Sequence, residues 1–318
     1  MKVLLTGATG LLGRHIVSEL LRQGIVPRLL LHRHTFARNA LPVETEIFWG
    51  NLSDPSCVDA ILSGVDAVIH CAWAFNGANT PRPTVNEVSS RDLCERALRK
   101  GVTKFAFVSS VAVYGMSGNG GTVCSEISEL CGEKEPFIYP QEKVSVEKQL
   151  VALEGAAGRV AIFRPGPIFD DEKGPAKKTV RVGGVHLAIG MGNGRNRMAY
   201  IHAADVARAI VQWLTCDATG GTFNLVADSQ LTMREWMQAW GCDRGEKHVP
   251  LFMPELLVVG AAKTLNLAMR LLGRTKRVDV TYALACAKRD LQYSGETAKT
   301  ALGWTDSETQ KCVAARNG

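Results

Sequence analysis

The sequence predicts an α/β protein in which a doubly wound parallel sheet is accompanied by a smaller, mostly helical C-terminal part. Short apolar runs alternate with helix-like segments over the first two thirds of the chain, and these runs fade after about residue 228. Nearly continuous apolar strands that alternate with helices are typical of a parallel sheet covered on both faces. The runs that we interpret as strands span residues 3–5, 28–31, 45–49, 67–70, 105–108 and 160–163.

Two helices are predicted between these strands. Residues 13–23 have apolar side chains at helical spacing, so one face of this segment should pack on the sheet. The apolar residues of that face are Ile16, Val17, Leu20 and Leu21. A second helix is predicted over residues 86–99, between the fourth and fifth strands.

The composition is that of a globular protein and argues against several classes of function. The 318 residues carry a formal net charge of +6 without a basic run interleaved with aromatic residues, so we expect no nucleic-acid partner. The nine cysteines form no C-x-x-C pair and no signal peptide is recognisable, so we expect a cytoplasmic protein without a metal site. His70 is expected to be structural. Charged residues interrupt the most apolar region, residues 251–273, so we expect no membrane span.

A glycine-rich turn follows the first predicted strand. Gly7, Gly10 and Gly13 have the spacing G-x-x-G-x-x-G, and the last of them opens the first predicted helix. Glycines at these positions allow a tight turn and a close approach of the backbone to a pyrophosphate, which the helix N-terminus stabilises. The turn therefore predicts a dinucleotide-binding site.

This glycine turn resembles the T-G-x-x-G-x-x-G of the extended short-chain dehydrogenases, the NAD(P)-dependent epimerase/dehydratase family. Further segments that resemble this family follow in its order: residues 50–52, 66–72, Asn86, 107–115, Tyr139 with Lys143, 164–167, 200–207 and 302–304. The resemblance covers nearly the whole chain. It implies a Rossmann-type dinucleotide-binding domain in residues 1–166 and about 200–228, and a substrate-binding part in about 167–199 and 229–318.

The resemblance also implies roles for individual residues. The catalytic residues would be Ser110, Tyr139 and Lys143. The cofactor would be bound by Gly7, Thr9, Gly10, Leu11, Leu12, Gly13, Arg14, His32, Arg33, Asn51, Leu52, Cys71, Ala72, Trp73, Tyr139, Lys143 and Pro165. A homodimer through the helices of residues 86–99 and 141–153 is implied as well.

The segment Tyr139-Pro140-Gln141-Glu142-Lys143 suggests how the chemistry would work. Tyr139 and Lys143 lie four residues apart, on one face of a helix, and Pro140 suits the first helical position. A nearby ammonium would lower the pKa of the phenol, which could then exchange a proton with a substrate oxygen near neutral pH. By the resemblance, Ser110 would polarise that oxygen and Lys143 would bind the nicotinamide ribose.

The end of the second predicted strand bears on the choice between NAD(H) and NADP(H). NAD enzymes place an acidic residue there, which binds the 2′-hydroxyl of the ribose. This chain has Leu31-His32-Arg33-His34 instead, and Arg14 follows the third glycine. The basic side chains favour NADP(H), and NAD(H) stays the alternative if they are only solvated.

Three functions are compatible with these residues. The favoured one is an oxidoreductase that transfers a hydride between NADP(H) and a ketone or secondary alcohol. The second is a nucleotide-sugar 4-epimerase with tightly bound NAD. The third and least favoured is a non-catalytic NADP-sensing regulator, against which the intact Ser110, Tyr139 and Lys143 argue. Val111-Ala112 stands where nucleotide-sugar dehydratases of the family carry Asp-Glu, which disfavours a 4,6-dehydratase.

Two features give opposite indications about the small-molecule substrate. Trp73 and Phe75, expected at the mouth of the site, and the apolar residues 250–273 favour a lipophilic ketone, although ordinary core packing also explains the latter. Arg195 and Arg197 lie where family members that act on nucleotide sugars place a diphosphate-binding arginine. A nucleotide sugar and a lipophilic ketone therefore both remain open.

Overall fold

A central parallel sheet organises the protein, as a computed structural model shows. The structure describes residues 1–32, 45–77, 80–116, 123–174, 178–182, 185–243, 248–273 and 278–315. The strands in this part of the chain are β1 Val3–Thr6, β2 Pro27–Leu31, β3 Glu46–Trp49, β4 Ala67–His70, β5 Lys104–Val108, β6 Val123–Cys124, β7 Val160–Pro165, β8 Ile168–Phe169, β9 Lys178–Val182, β10 Val185–Met191, β11 Ile201–His202, β12 Gly221–Leu225, β13 His248–Met253 and β14 Gln292–Tyr293.

Helices connect these strands and cover the sheet. They are α1 Leu11–Arg22, α2 Pro55–Ile61, α3 Val85–Arg99, α4 Ile138–Val151, α5 Ala203–Thr215, α6 Met233–Asp243, α7 Glu255–Leu271, α8 Thr281–Lys288, α9 Glu296–Leu302 and α10 Ser307–Ala314. Short 3₁₀ turns lie at Val111–Tyr114 and Cys131–Lys134. Among the helices described, none has the combination of length and apolar composition that crossing a membrane requires.

The central sheet has seven strands in the order β12-β7-β5-β4-β1-β2-β3, and every neighbouring pair is parallel. The order reverses at β1, because β2 lies on one side of β1 and β4 on the other. In open α/β sheets, ligands bind beyond the carboxyl ends of the strands at such a switch point. The predicted Rossmann-type fold is confirmed.

Each face of the sheet contributes to its own apolar core. On β1, Val3 and Leu5 pack with α1 and α5, whereas Leu4 packs on the opposite face with α2, α3 and α4. Successive side chains of a strand point to opposite faces, and a strand buried on both faces is therefore apolar at every position. This explains why the predicted strands appear as continuous apolar runs.

Strands outside the prediction complete the fold. β12 is the seventh strand of the central sheet, and β13, β10 and β9 form a second, three-stranded sheet in the part expected to be mostly helical. β12 begins with an exposed glycine, and β13 contains Pro250, which is tolerated because β13 lies at an edge of its sheet. Neither segment has the continuous apolar pattern used for the prediction. The predicted domain boundaries stay a prediction.

Helix α4, which carries Tyr139 and Lys143, begins two residues earlier relative to Pro140 than predicted. Its first residue is Ile138, so Pro140 occupies the third helical position and not the first. The position is still tolerated because the first N–H groups of a helix have no partner within it. α4 packs against α3, the other helix assigned by resemblance to a homodimer, which stays a prediction.

Candidate active site

A cavity of about 1000 Å³ opens at the carboxyl ends of β1, β4, β5 and β7. It runs from the glycine turn between β1 and α1, past α4, to residues of β10, α6 and α8. The cavity thus lies at the switch point of the sheet and reaches into the C-terminal part. The end at the glycine turn is bounded mainly by backbone, and the end at β10, α6 and α8 is bounded mainly by long side chains.

The glycine turn forms a cradle that side chains would fill. Gly7 has φ +79°, and a Cβ on it would lie 2.6 Å from the amide nitrogen of Ala72. A Cβ on Gly13 would lie 2.1 Å from the carbonyl oxygen of Gly7. No side chain caps α1, whose N-cap is Gly10, and the first residues of the helix line the cavity. A helix N-terminus with free N–H groups suits a phosphate, and this turn therefore fits a dinucleotide.

Most of the predicted cofactor-binding residues lie along this cavity. The lining includes Gly7, Thr9, Gly10, Leu11, Leu12, Gly13, His32, Asn51, Leu52, Cys71, Ala72, Trp73, Tyr139, Lys143 and Pro165. Arg14 does not belong to the lining, because its guanidinium lies 3.6 Å from Asp170 and 3.3 Å from Glu172. Arg33 lies outside the described residues. The predicted role of Arg14 at a 2′-phosphate thus has no support in this arrangement.

Lys143 is buried between an aromatic ring and a strand end. Its Nζ donates a hydrogen bond of 2.8 Å to the carbonyl oxygen of Val108 and lies 3.3 Å from the centre of the Trp73 ring. Burial lowers the pKa of Lys143 to about 7, and the nearby carboxylate of Glu147 opposes this shift. A cation over an indole face is stabilised electrostatically, which accounts for the orientation of the side chain.

Tyr139 lies beside Ser110 and among aromatic rings. Its ring centre is 6.3 Å from that of Trp73, 6.1 Å from that of Phe75 and 6.1 Å from that of Tyr282. Burial raises the pKa of Tyr139, and the hydrogen bond with Ser110 only partly offsets the rise. The predicted lowering by Lys143 is wrong here, since the ammonium faces Trp73 and lies 5.9 Å from the Tyr139 ring centre.

Two serines stand at the end of β5, and they differ in their contacts. The Oγ of Ser110 accepts a hydrogen bond of 3.1 Å from the amide of Ala112 and so caps the 3₁₀ turn, in addition to its contact with Tyr139. The Oγ of Ser109 is buried and has no partner among the described residues, although Ser109 also lines the cavity. The sequence pattern singled out Ser110 and gave no reason to consider Ser109.

A buried carboxylate supports the helix that carries Tyr139 and Lys143. Oε1 of Glu142 accepts hydrogen bonds from Asn76 at 2.7 Å, from Asn86 at 3.1 Å and from the hydroxyl of Thr84. The amide of Asn86 also binds both main-chain groups of Ala74. Sequence reasoning missed Glu142, and an acidic residue between a tyrosine and a lysine was the only available signal.

A buried ion pair attaches α4 to β7. Arg164 and Glu147 have side chains only 5% and 3% exposed, and their closest atoms are 2.6 Å apart. Nη1 of Arg164 also donates to the hydroxyl of Tyr114 at 2.8 Å, which in turn donates to Asn224 at 2.7 Å. This network connects the helix with Tyr139 and Lys143 to the strands β7 and β12.

His70 has two hydrogen-bond partners inside the protein. Its ring nitrogens lie 2.7 Å from Oγ1 of Thr6 and 2.9 Å from Oγ of Ser90. Burial lowers the pKa of His70 to about 3, so the ring is neutral at physiological pH. These contacts support a structural role. Within the described residues, no group of three or more potential ligands could hold a metal ion.

The far end of the cavity is mostly apolar and was not predicted in detail. Besides Trp73 and Phe75, it is lined by Met191, Met198, Tyr200, Met233, Tyr282 and Arg289. Arg195 and Arg197, the predicted diphosphate ligands, are not part of this lining. The amide of Arg197 is held by Asp290, at 3.0 Å. The arginine that does reach the cavity is Arg289, whose Nη2 donates to the carbonyl oxygen of Val111 at 2.6 Å.

The dinucleotide cradle and the grouping of Ser110, Tyr139 and Lys143 at one sheet edge define the class of extended short-chain dehydrogenases. The chain belongs to the NAD dependent epimerase/dehydratase family, whose model matches residues 3–225. The family match ends at the last strand of the central sheet. The part beyond that strand lies outside the match.

Named relatives of the chain include enzymes that act on lipids. The ceramide reductase of Caulobacter vibrioides is 36% identical over 229 residues, which are 69% of this chain and 62% of that protein. Sterol demethylase protein B of Methylococcus capsulatus is 32% identical over 173 residues, which are 53% of this chain and 52% of that protein. The chain therefore spans about half to three fifths of the length of these relatives.

Solved structures with the same fold cover the whole chain. The UDP-glucose 4-epimerase of Thermus thermophilus, in complex with NAD, is 20% identical and has a TM-score of 0.71. The match covers 100% of this chain and 99% of that one. At this identity the likeness shows the shared fold alone.

Proposed function

We propose that the protein is an oxidoreductase that transfers a hydride between NADP(H) and a ketone or secondary alcohol on a lipophilic molecule. The observation that carries this proposal is the cavity itself. Ser110, Tyr139 and Lys143 meet at its centre, next to the glycine cradle, and its far end is lined by methionine and aromatic side chains. A bound nicotinamide would supply or accept the hydride.

Tyr139 is suited to give a proton to the substrate oxygen as a ketone is reduced. The phenol of Tyr139 is protonated at neutral pH, as that of any tyrosine with the usual pKa of about 10 is, so its proton is available to the substrate oxygen. Burial raises the pKa of Tyr139 further, which makes the phenol a weaker acid. Ser110, which contacts Tyr139, can donate a second hydrogen bond to the same oxygen. A positioned proton donor of this kind contributes about 10²- to 10⁴-fold to the rate. Lys143 would bind the ribose hydroxyls of the cofactor.

The preference for NADP(H) rests on the charge of the cavity wall. Within the described ranges, no aspartate or glutamate belongs to the lining, so the 2′-hydroxyl of an NAD ribose has no carboxylate partner there. His32, directly after β2, provides a basic or hydrogen-bonding side chain instead. Both features favour a ribose that carries a 2′-phosphate.

The lipophilic substrate is supported by the side chains at the far end of the cavity. Methionine side chains adapt to irregular apolar shapes, and aromatic rings cover apolar ligands. Met191, Met198, Met233 and Tyr282 lie there, and Arg289 is the one cation of this end in the described part. The names of the ceramide reductase and the sterol demethylase protein, which are similar to this chain, point in the same direction.

The alternative is a nucleotide-sugar 4-epimerase with tightly bound NAD. Arg289 favours it, because a guanidinium at the cavity wall can bind a diphosphate, and its Nε is buried without a partner among the described residues. The fold shared with UDP-glucose 4-epimerase is compatible with this alternative. The two functions differ in cofactor exchange, since an epimerase retains its NAD through each turnover.

The absorbance of the protein as purified, followed by fluorescence titration with NADPH and NADH, distinguishes them. The proposal expects protein that arrives empty, binds NADPH more tightly and oxidises it with a long-chain ketone. Retained NAD and turnover of a UDP-sugar would instead establish the epimerase. Tyr139→Phe should lower turnover by about 10²- to 10⁴-fold and leave NADPH affinity unchanged. NADPH binding without turnover of any ketone would favour the non-catalytic regulator.

A further inference from the structure

Helix α7 exposes an unusual number of large apolar side chains. Only Val258 and Ala262 of this helix are buried. The exposed fractions in and directly after it are 83% for Leu256, 60% for Leu257, 49% for Leu265, 58% for Leu267, 80% for Leu271 and 74% for Leu272. A helix at the surface of a globular protein normally carries charged residues on its outer side. α7 is instead apolar on both sides.

Four of these six exposed leucines, Leu256, Leu257, Leu267 and Leu271, share one continuous face. Successive residues of a helix are about 100° apart, so the side opposite Val258 and Ala262 can be read from the sequence. We call it the outer face of α7; it consists of Leu256, Leu257, Gly260, Ala261, Thr264, Leu267, Ala268 and Leu271. It has no charged residue and runs along a helix of about 26 Å. Exposed apolar patches of this kind mark interaction sites.

The charges that border the outer face are positive. Lys263 and Arg270 both lie along one edge of it, one above the other at a spacing of two helical turns. The only acidic residue of α7 is Glu255, which forms an ion pair with Lys288 at 2.5 Å. A second copy packed antiparallel through this face would place both cationic edges on the same side of the interface, where they repel each other. A partner with negative charges around an apolar interior is complementary.

Helix α7 is hydrogen-bonded to the segment that leads into one wall of the cavity. Helix α8, the next helix along the chain, contributes Tyr282, Ala283, Cys286 and Ala287 to the cavity wall. The side chain of Asn266 on α7 binds both main-chain groups of Val278, at 2.9 and 2.7 Å, just before α8 begins. A surface on which α7 rests would therefore lie beside the helix pair of which α8 forms part of the cavity wall.

We propose that the outer face of α7 docks onto the surface of an anionic lipid bilayer. The leucines would enter the boundary between headgroups and acyl chains, and Lys263 and Arg270 would face the anionic headgroups. The helix lies in the plane of the membrane and does not cross it. Docking rests on the helix alone and is independent of the proposed reaction, although it would give a lipophilic substrate a short path to the cavity.

Cosedimentation of the full chain with lipid vesicles tests this docking. The protein should bind vesicles that contain phosphatidylglycerol, bind pure phosphatidylcholine more weakly, and lose affinity at high salt. The double variant Leu267→Glu/Leu271→Glu should abolish binding. Lys263→Gln/Arg270→Gln should weaken binding to the anionic vesicles, by roughly fivefold for each cation removed. Ile127→Glu is the matched control, because Ile127 is 97% exposed and lies outside α7; it should bind as the wild type does.

Absence of wild-type binding to anionic vesicles, or binding unchanged in Leu267→Glu/Leu271→Glu, overturns the proposal. So does a wild-type dimer, seen by size-exclusion chromatography, that this variant converts to a monomer without any vesicle binding; α7 is then an interface between copies. NADPH affinity reports whether each variant is folded. If the double variant does not fold, hydrogen–deuterium exchange of the wild type decides: vesicles should slow exchange in residues 255–272, and unchanged exchange refutes docking. Vesicle binding without ketone turnover would leave docking intact and refute only the proposed function.

Discussion

Replacing Lys143 by methionine should stabilise the protein, and more so at neutral than at alkaline pH. Burial lowers the pKa of Lys143 to about 7, whereas an unfolded lysine has a pKa of about 10.4. Between these two values the unfolded chain binds the proton more tightly than the folded chain, so native stability rises with pH. At pH 7 and below, folding must place an ammonium where the residue is only 4% exposed.

The size of the effect follows from this window. Above pH 7 the wild type should gain about 1.4 kcal/mol per pH unit, which amounts to about 2 to 3 kcal/mol between pH 7 and pH 9. Lys143→Met has no titrating group at this position, so its free energy of unfolding should not change with pH for this reason. The difference in stability between the variant and the wild type should therefore be about 2 to 3 kcal/mol smaller at pH 9 than at pH 7. Urea unfolding followed by circular dichroism, without added dinucleotide, measures the difference at both pH values.

A matched control lies on the same helix. Lys148 is exposed and paired with Glu133, and exposed pairs contribute less than about 1 kcal/mol. Lys148→Met should therefore change the free energy of unfolding by nearly the same small amount at pH 7 and pH 9. If the difference between Lys143→Met and the wild type is also independent of pH, Lys143 is hydrated in solution and the reasoning from its burial is refuted.

Two further changes test the cradle and the ion pair below α4. Gly13→Ala should weaken NADPH binding roughly tenfold or more, because its Cβ would lie 2.1 Å from the Gly7 carbonyl oxygen and overpacking costs about 1–3 kcal/mol. Gly260→Ala is the control and should leave the NADPH affinity unchanged, because the space around its Cβ is open. Equal NADPH affinities of the two variants would contradict the close contact at Gly13. Glu147→Gln should lower the free energy of unfolding by about 3–5 kcal/mol, because it leaves the buried Arg164 cation without its anion. Urea unfolding measures this loss, and a loss below about 1 kcal/mol would contradict the importance of the ion pair.

Much of the fold could be predicted because its strands are buried on both faces. β1, β2 and β4 are apolar at most positions, and a parallel sheet covered by helices on both faces buries such strands. β12 and the sheet of β9, β10 and β13 could not be recognised, because their sequences are not continuously apolar: β10 and β12 contain glycine, β13 contains proline, and β9 contains lysine and arginine. Such segments form strands because of the neighbouring strands with which they pair, and those neighbours cannot be deduced from the local sequence.

The candidate site shows the same division. The spacing of Tyr139 and Lys143 placed both residues on one helix, as found, but their protonation could not be deduced from spacing. The ammonium of Lys143 lies over the ring of Trp73 and not beside the phenol of Tyr139. The pKa of Tyr139 is therefore raised by burial and is not lowered by that charge. Trp73 reaches this position from the end of another strand, and only the folded chain brings the two side chains together.

The sequence by itself determined the parallel sheet, the glycine cradle and the order of the residues that meet at the end of β5 and the start of α4. These depend on local spacing and on apolar continuity, which are written directly in the chain. The tertiary structure alone decided that Arg14 turns to Asp170 and Glu172, that Arg289 and not Arg195 reaches the cavity, and that α7 leaves its leucines exposed. Long side chains and helix faces adopt these positions according to charge and burial around them, and those surroundings come from segments distant in sequence.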